Sequence, residues 1–108
     1  MIRKLNWQVF TEQERNKAIE DLKGKISSHG GYIVNSTFFS DLAISLTIEI
    51  EENDILKLYA SIQESMTISE SGFDNLNVNA GNEWWIFLNV TFRQGKGDLK
   101  IDVPNVPG

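Results

Sequence analysis

The sequence predicts a small α+β domain of ferredoxin-like order, β-α-β-β-α-β, with an additional C-terminal hairpin strand. Apolar residues alternate with polar ones in several stretches, as in strands with one buried face, and recur at helical spacing in two others. A β-α-β connection is right-handed, and the third strand fits between the first two. We therefore expect an antiparallel sheet with both helices on one face.

The composition is that of one ordinary globular domain. The chain has 108 residues, of which 41% are hydrophobic and 23% are charged, and chains of this size usually form one core. We expect residues 1–104 to form a single domain and residues 105–108 to be a loose tail.

The charge and the absence of cysteine restrict the partners and the compartment. A net charge of -5 makes the average surface repel phosphate backbones and anionic lipids, so we expect neither nucleic acid nor a membrane as partner. Without cysteine there is no disulfide framework and no thiolate metal site. The start of the chain alternates instead of forming the apolar run of a signal peptide. We expect a cytoplasmic protein.

The first strand is predicted over residues 3–10, where apolar and polar residues alternate. Thr11 and Glu14 have the spacing of a capping box, which predicts a helix from about 12 to 29. The apolar stripe of this helix is Ala18, Ile19, Leu22 and Ile26.

His29, the only histidine, stands at the predicted end of this helix. Gly30 fits the left-handed conformation that often ends a helix and that costs a residue with a Cβ about 1 kcal/mol or more. The last helical turn offers carbonyls to the imidazole and favours its charged form, which is a poorer general base. We predict that His29 is structural and assign no catalytic residue.

The next two strands give patterns of different quality. Residues 32–39 are rich in β-forming residues, but both of their faces are mixed, so the side that faces the core stays open. After a turn at Ser40 and Asp41, residues 42–51 alternate clearly. Their apolar face is Leu42, Ile44, Leu46, Ile48 and Ile50.

A second helix is predicted after Asn53, which can cap it. Its apolar stripe is Ile55, Leu58, Tyr59, Ile62 and Met66. Residues 67–83 have no strong period and are long for a loop in a compact domain, which indicates a functional role, local mobility or a missed short strand. The weak alternation of Leu76, Val78 and Ala80 allows the strand.

The C-terminal part predicts two strands. Residues 84–93 alternate, with apolar residues at every even position as far as Phe92. A glycine-containing hairpin loop over residues 94–98 leads to a returning strand at residues 99–103, which Pro104 ends.

No stretch carries a strong chemical motif. The third strand, LAISLTIEI, lacks the basic and aromatic pattern of RNA-recognition domains. The spacing of Asn75, Asn77 and Asn79 fails the calcium-loop pattern at its sixth and twelfth positions. The acidic run over residues 49–54 is more simply a charged strand end followed by a helix start. We expect no metal and no cofactor.

The uncovered face of the sheet supplies the candidate site residues. In the expected strand order, one end of this face gathers the apolar residues Phe10, Ala43, Trp85 and Phe87. The other end holds weaker, polar candidates, Asn6, Thr47, Asn89 and Arg93. An exposed apolar patch usually marks a contact site, and a two-fold axis lets it cover its own copy.

These observations favour a small soluble module without catalytic activity, regulatory or devoted to protein interaction, that acts as a homodimer through the sheet face. The alternative is a small-molecule-binding domain or enzyme that uses the same face for an unidentified ligand. A third arrangement also stays open, in which the 67–83 loop or the C-terminal tail covers the patch within a monomer.

Overall fold

A computed structural model of the chain describes residues 3–69, 76–77 and 79–92. They form a small α+β fold with a mixed five-stranded sheet and two α-helices. The strands are β1 (Arg3–Thr11), β2 (Tyr32–Ser40), β3 (Ala43–Glu51), β4 (Thr67–Ile68) and β5 (Glu83–Phe92), and the helices are α1 (Arg15–Ser28) and α2 (Ile55–Gln63). In this part of the chain, neither helix is long and apolar enough to cross a membrane.

The strand order is β2-β3-β5-β1-β4 and differs from the expected one. β5 runs parallel to β1 and antiparallel to β3, so the expectation of a wholly antiparallel sheet with the third strand beside the first is wrong. The reason is β4, a two-residue strand that pairs antiparallel with the outer side of β1. It takes the place expected for residues 84–93, and the chain then reverses to enter between β1 and β3.

β4 lies at the start of the 67–83 segment, where no strand was expected. Pairing continues for one more residue, since the Ser69 N–H donates to the Gln8 carbonyl over 2.8 Å. The weak alternation that allowed a short strand was at 76–80, and the described residues there, 76–77 and 79–80, are not in a strand. Residues 70–75 and 78 lie outside the described residues.

β5 is the central strand of the sheet. β1 pairs with one of its sides and β3 with the other along its whole length, so β5 has no free edge, although we expected a hairpin partner for it. The expected returning strand at 99–103 and the tail at 105–108 lie outside the described residues.

The alternation in β1, β3 and β5 is confirmed by burial, with one buried face on each strand. The buried residues of these strands and of both helices form one hydrophobic cluster, so the two helices pack on the same face. Burial of each large apolar side chain in this cluster stabilises the folded state by about 1.5–3 kcal/mol. Trp7 of β1 meets Tyr59 of α2 edge to face, with ring centroids 5.2 Å apart.

α1 begins later than the capping-box spacing implies. Thr11 remains in β1, opposite Phe92, and its Oγ1 accepts the Gln13 N–H over 3.1 Å. Glu14 is the N-cap itself, and its Oε1 accepts the Lys17 N–H over 3.1 Å. The reciprocal capping box does not form because sheet pairing holds Thr11 away from the helix.

The end of α1 is as predicted. His29 is the C-cap, and its Nδ1 lies 2.8 Å from the Lys25 carbonyl oxygen. Gly30 follows with φ of 78°, in the left-handed region that glycine adopts without strain.

α2 is preceded by a short 3₁₀ helix, Glu52–Asp54, and its start differs from the expectation. The N-cap is Asp54, which makes no side-chain capping bond, and the Oδ1 of Asn53 is buried without a hydrogen-bond partner. Instead, the backbone N–H groups of Glu52 and Asn53 donate to the carbonyls of Asn82 and Ala80. Backbone from the segment before β5 therefore holds the turn that leads into α2, while α2 itself has no side-chain cap.

Candidate functional site

The four apolar candidates of the open sheet face do not form one cluster. Phe10 and Ala43 lie on either side of Thr91, at the end of the sheet near the turn between β2 and β3. Trp85 and Phe87 lie toward the other end, because the parallel pairing puts the start of β5 beside the start of β1. The expected patch is therefore divided in two.

The aromatic pair of β5 is already partly covered. Trp85 and Phe87 are half-buried and meet edge to face, with ring centroids 6.4 Å apart. The Lys4 Nζ lies 5.9 Å from the ring centroid of Phe87, close enough for a cation-π contact. This end of the open face therefore presents less apolar surface than its composition suggests.

The polar candidates lie among these aromatic residues. Asn6 and Thr47 flank Phe87 on the two neighbouring strands, so they share its end of the face. Asn89, farther along β5, accepts a 3.0 Å hydrogen bond from the Ser45 hydroxyl. Arg93 lies outside the described residues.

Carboxylates border the aromatic pair. Glu49 lies opposite Trp85, and Glu51 lies opposite Glu83 at the start of β5. The pKa of Glu83 is raised above the ordinary 4.5, mainly by partial desolvation of its carboxyl group and, to a smaller extent, by repulsion from Glu49 and Glu51. In the described part of the chain, no three His, Asp or Glu residues are arranged to hold a metal ion. Three carboxylates against the one ammonium of Lys4 make this end of the open face negative.

Glu52 belongs to the same acidic run but turns inward and is 4% exposed. Its Oε2 accepts the Asn77 backbone N–H over 2.7 Å, and its Oε1 accepts the Asn82 side-chain N–H over 3.2 Å. The hydrogen bond from Asn77 lowers the pKa of Glu52. The residue therefore anchors the segment before β5, a structural role that its place in an acidic run did not reveal.

Open clefts lie at the two ends of α2. One of about 380 Å³ is formed by residues of β1, including Phe10, with Met66 and its polar neighbours after the helix. Another of about 630 Å³ lies beside the start of α2 and is lined by Asn53, Asp54 and Lys57 among others. Neither includes the single imidazole of the chain, His29, so neither brings together a nucleophile and a histidine base.

The most exposed large apolar residues lie on β2 and in the turn that follows it. Tyr32 is 71% exposed, Phe38 56% and Phe39 69%, and Val34 and Leu42 are also exposed. β2 is an edge strand that pairs with β3 alone among the described strands. The sequence pattern indicated no site here, although the mixed faces of residues 32–39 were a signal that β2 is not an ordinary half-buried strand.

Bulges gather the apolar residues of β2 on one side. The register with β3 shifts at Ile33-Val34 and again at Phe38-Phe39, so each pair of residues faces one core residue of β3. These pairs therefore lie on the helix-facing side of the sheet, which answers the question that the alternation left open. We call Ile33, Val34, Phe38 and Phe39 the β2 stripe.

The helices leave most of the β2 stripe uncovered. Ile33 packs against the core, whereas Phe38 is approached by the Arg15 guanidinium, 5.5 Å from its ring centroid. Arg15 in turn lies 3.9 Å from a carboxylate oxygen of Asp41. The result is an apolar stripe next to a backbone edge with which no described strand pairs.

Comparisons with family models, with curated proteins and with solved structures gave no significant match. The function has to be inferred from the residues of this chain.

Proposed function

We propose that this protein is a non-catalytic protein-interaction module that acts as a homodimer through the β2 edge. The observation that carries the proposal is the exposed apolar surface on β2. Edge strands of monomeric proteins are usually short or protected by charge or proline. β2 has nine residues, YIVNSTFFS, with no charge and no proline. Its bulges, which can protect an edge, here collect apolar side chains.

The exposed area is of the size that a modest dimer needs. At about 200 Å² for each aromatic side chain, the exposed parts of Tyr32, Phe38 and Phe39 amount to roughly 400 Å². Phe38 and Phe39 supply the larger part on the helix-facing side of the edge, and Tyr32, opposite Glu49, supplies the rest on the open side. A standard interface buries about 800 Å² on each partner. Val34, Leu42 and the open backbone edge supply further area, so the surface supports a dimer near the lower end of stable interface sizes.

The open sheet face, where the sequence places the interface, is less suited to contact with its own copy. Its aromatic pair, Trp85 and Phe87, is half-buried. A two-fold axis through this end would also bring Glu49, Glu51 and Glu83 near the same residues of the copy, and like charges facing each other oppose association. Pairing at the edge avoids this repulsion.

Light scattering after size exclusion tests the proposal. At micromolar concentration we expect twice the 12.3 kDa mass of one chain. The double variant Phe38→Ser with Phe39→Ser should give the mass of one chain with an unchanged circular dichroism spectrum. Leu56→Ser, which removes a 37% exposed residue of α2, is the matched control and should stay dimeric. A wild-type chain of single mass would overturn the proposal.

A second double variant, Trp85→Ser with Phe87→Ser, separates the edge from the open face. Both residues lie on the sheet side opposite to the β2 stripe, so a dimer formed at the edge should keep its mass. If this variant dissociates while the variant at Phe38 and Phe39 stays dimeric, the contact is on the open face and the assignment to the edge is wrong.

A further inference from the structure

We infer that β2 pairs antiparallel with β2 of a second copy, with Ser36 of each chain at the two-fold axis. The two sheets then form one continuous sheet. This inference rests on the proposed homodimer and adds the direction and the register of strand pairing.

The side chains of β2 are symmetric in chemistry for three positions on each side of Ser36. Moving outward, the matched positions are Asn35 with Thr37, Val34 with Phe38, Ile33 with Phe39, and Tyr32 with Ser40. The inner pair is polar and the next two pairs are apolar. In an antiparallel pair centred on Ser36, each of these positions lies directly opposite its match on the partner subunit.

The backbone irregularities have the same symmetry. One bulge lies at Ile33-Val34 and the other at Phe38-Phe39, at equal distances from Ser36. In the proposed register each bulge meets the other bulge of the partner subunit, so the two bent edges follow each other. A regular strand from another protein would match neither bend, which favours a second copy as the occupant of this edge.

The same register places apolar pairs on one face of the joined sheet and polar pairs on the other. The β2 stripes of the two chains meet on the helix-facing side, where Phe38 lies beside Val34 of the partner subunit. Asn35 lies beside Thr37 of the partner subunit on the open side. Apolar side chains therefore cover each other and polar side chains remain with polar ones, which is how cross-strand pairs stabilise a sheet.

The charge distribution is compatible with this contact. Each chain carries a net charge of -5, which opposes association of two copies. β2 has no charged residue, so the strands that approach most closely add no repulsion of their own. The nearest ion pair, Arg15 with Asp41, brings one charge of each sign.

Cysteine cross-linking tests the axis directly, because the chain has no cysteine of its own. Directly opposite residues of an antiparallel pair have Cα atoms about 4.5–5.5 Å apart, within the roughly 4.4–6.8 Å range of disulfides. Ser36 is exposed, so the variant Ser36→Cys should form a disulfide-linked dimer under mild oxidation. Thr47→Cys, on the open face of β3, is the matched control and should stay unlinked.

The register is tested by mixing two further full-length variants, Asn35→Cys and Thr37→Cys, one of them carrying a mass tag. The mixed disulfide dimer should form in an amount several-fold larger than that of either homodimer. A homodimer of Thr37→Cys that exceeds both the mixed dimer and the Ser36→Cys dimer would move the axis and overturn the register.

Failure of this inference is distinguishable from failure of the proposed function. A wild-type dimer in which Ser36→Cys stays unlinked overturns β2 pairing and leaves the homodimer standing. A dimer that links through Thr47→Cys instead places the contact on the open face. A wild-type monomer overturns both proposals, and protection in that monomer of the β2 amides that β3 leaves free would show that another part of the same chain is the occupant.

Discussion

Asn77 donates its backbone N–H to Oε2 of Glu52 over 2.7 Å and so ties the segment before β5 to the turn before α2. The bond favours the ionised carboxylate and lowers the pKa of Glu52. A carboxylate with a lowered pKa in the folded state contributes stability that is fully present above its ordinary pKa of 4.5. That contribution is lost as the pH falls through the lowered value.

Glu52→Gln should therefore lower the urea midpoint of unfolding at neutral pH. Glutamine can accept the Asn77 N–H, but it carries no charge, and its own amide group competes with the Asn82 amide. The loss of stability on acidification below pH 4.5 should also be weaker than in the wild type. Glu20→Gln, which removes an exposed carboxylate of α1 far from this segment in the sequence, is the control. An equal midpoint for Glu52→Gln and the wild type would contradict the anchoring role.

Glu83 should show the opposite pH dependence. Its pKa is raised by desolvation and by Glu49 and Glu51, so the folded state holds its proton more tightly than the unfolded state does. Stability should therefore fall as the pH rises through the raised value. We expect Glu83→Gln to raise the melting temperature at pH 7 and to have little effect below pH 4. A lower melting temperature at pH 7 would show that the charge is stabilised instead.

Two glycines of the first helix and its end should respond to alanine in opposite directions. Gly30→Ala should cost about 1–2 kcal/mol of unfolding free energy because its φ of 78° is left-handed. The added Cβ itself meets only ordinary contact there, at 3.6 Å. Gly24→Ala should gain about 0.5–1 kcal/mol, since this helical position is exposed and open. Urea unfolding at constant pH measures both changes in free energy. Equal changes for the two variants would contradict the left-handed conformation of Gly30.

His29 should prove structural. Its Nδ1 bonds the Lys25 carbonyl at the end of α1, so His29→Gln should change the unfolding free energy by about 1 kcal/mol or less. Dimer mass should be unchanged. If an activity of the protein is found and this variant abolishes it while the fold is intact, His29 is functional and the prediction fails.

The strands and helices that bury one regular face were predictable from sequence. β3 and β5 alternate over their full length, and the Gly30 turn marks the end of α1. The strand order was not predictable, because it depends on β4. Two residues, Thr67 and Ile68, are too few to show a period, yet their pairing beside β1 decides the direction in which β5 enters the sheet.

The candidate site was predictable only in part for the same reason. Trp85 and Phe87 alternate with the core residues of β5, so their place on the open face followed from the period. Their neighbours depended on the strand order and were therefore misplaced. The β2 stripe was hidden because two bulges break the two-residue period at Ile33-Val34 and Phe38-Phe39.

Hydrogen exchange of the wild-type chain at low and high concentration tests β2 pairing most directly. Pairing with a second copy gives hydrogen-bond partners to the β2 amides that β3 leaves free, so deuterium uptake over residues 32–40 should slow as the dimer forms. Uptake in β5 should not change, because β1 and β3 already pair with both of its sides. If the chain becomes dimeric while uptake in residues 32–40 stays the same at both concentrations, β2 does not pair with its copy.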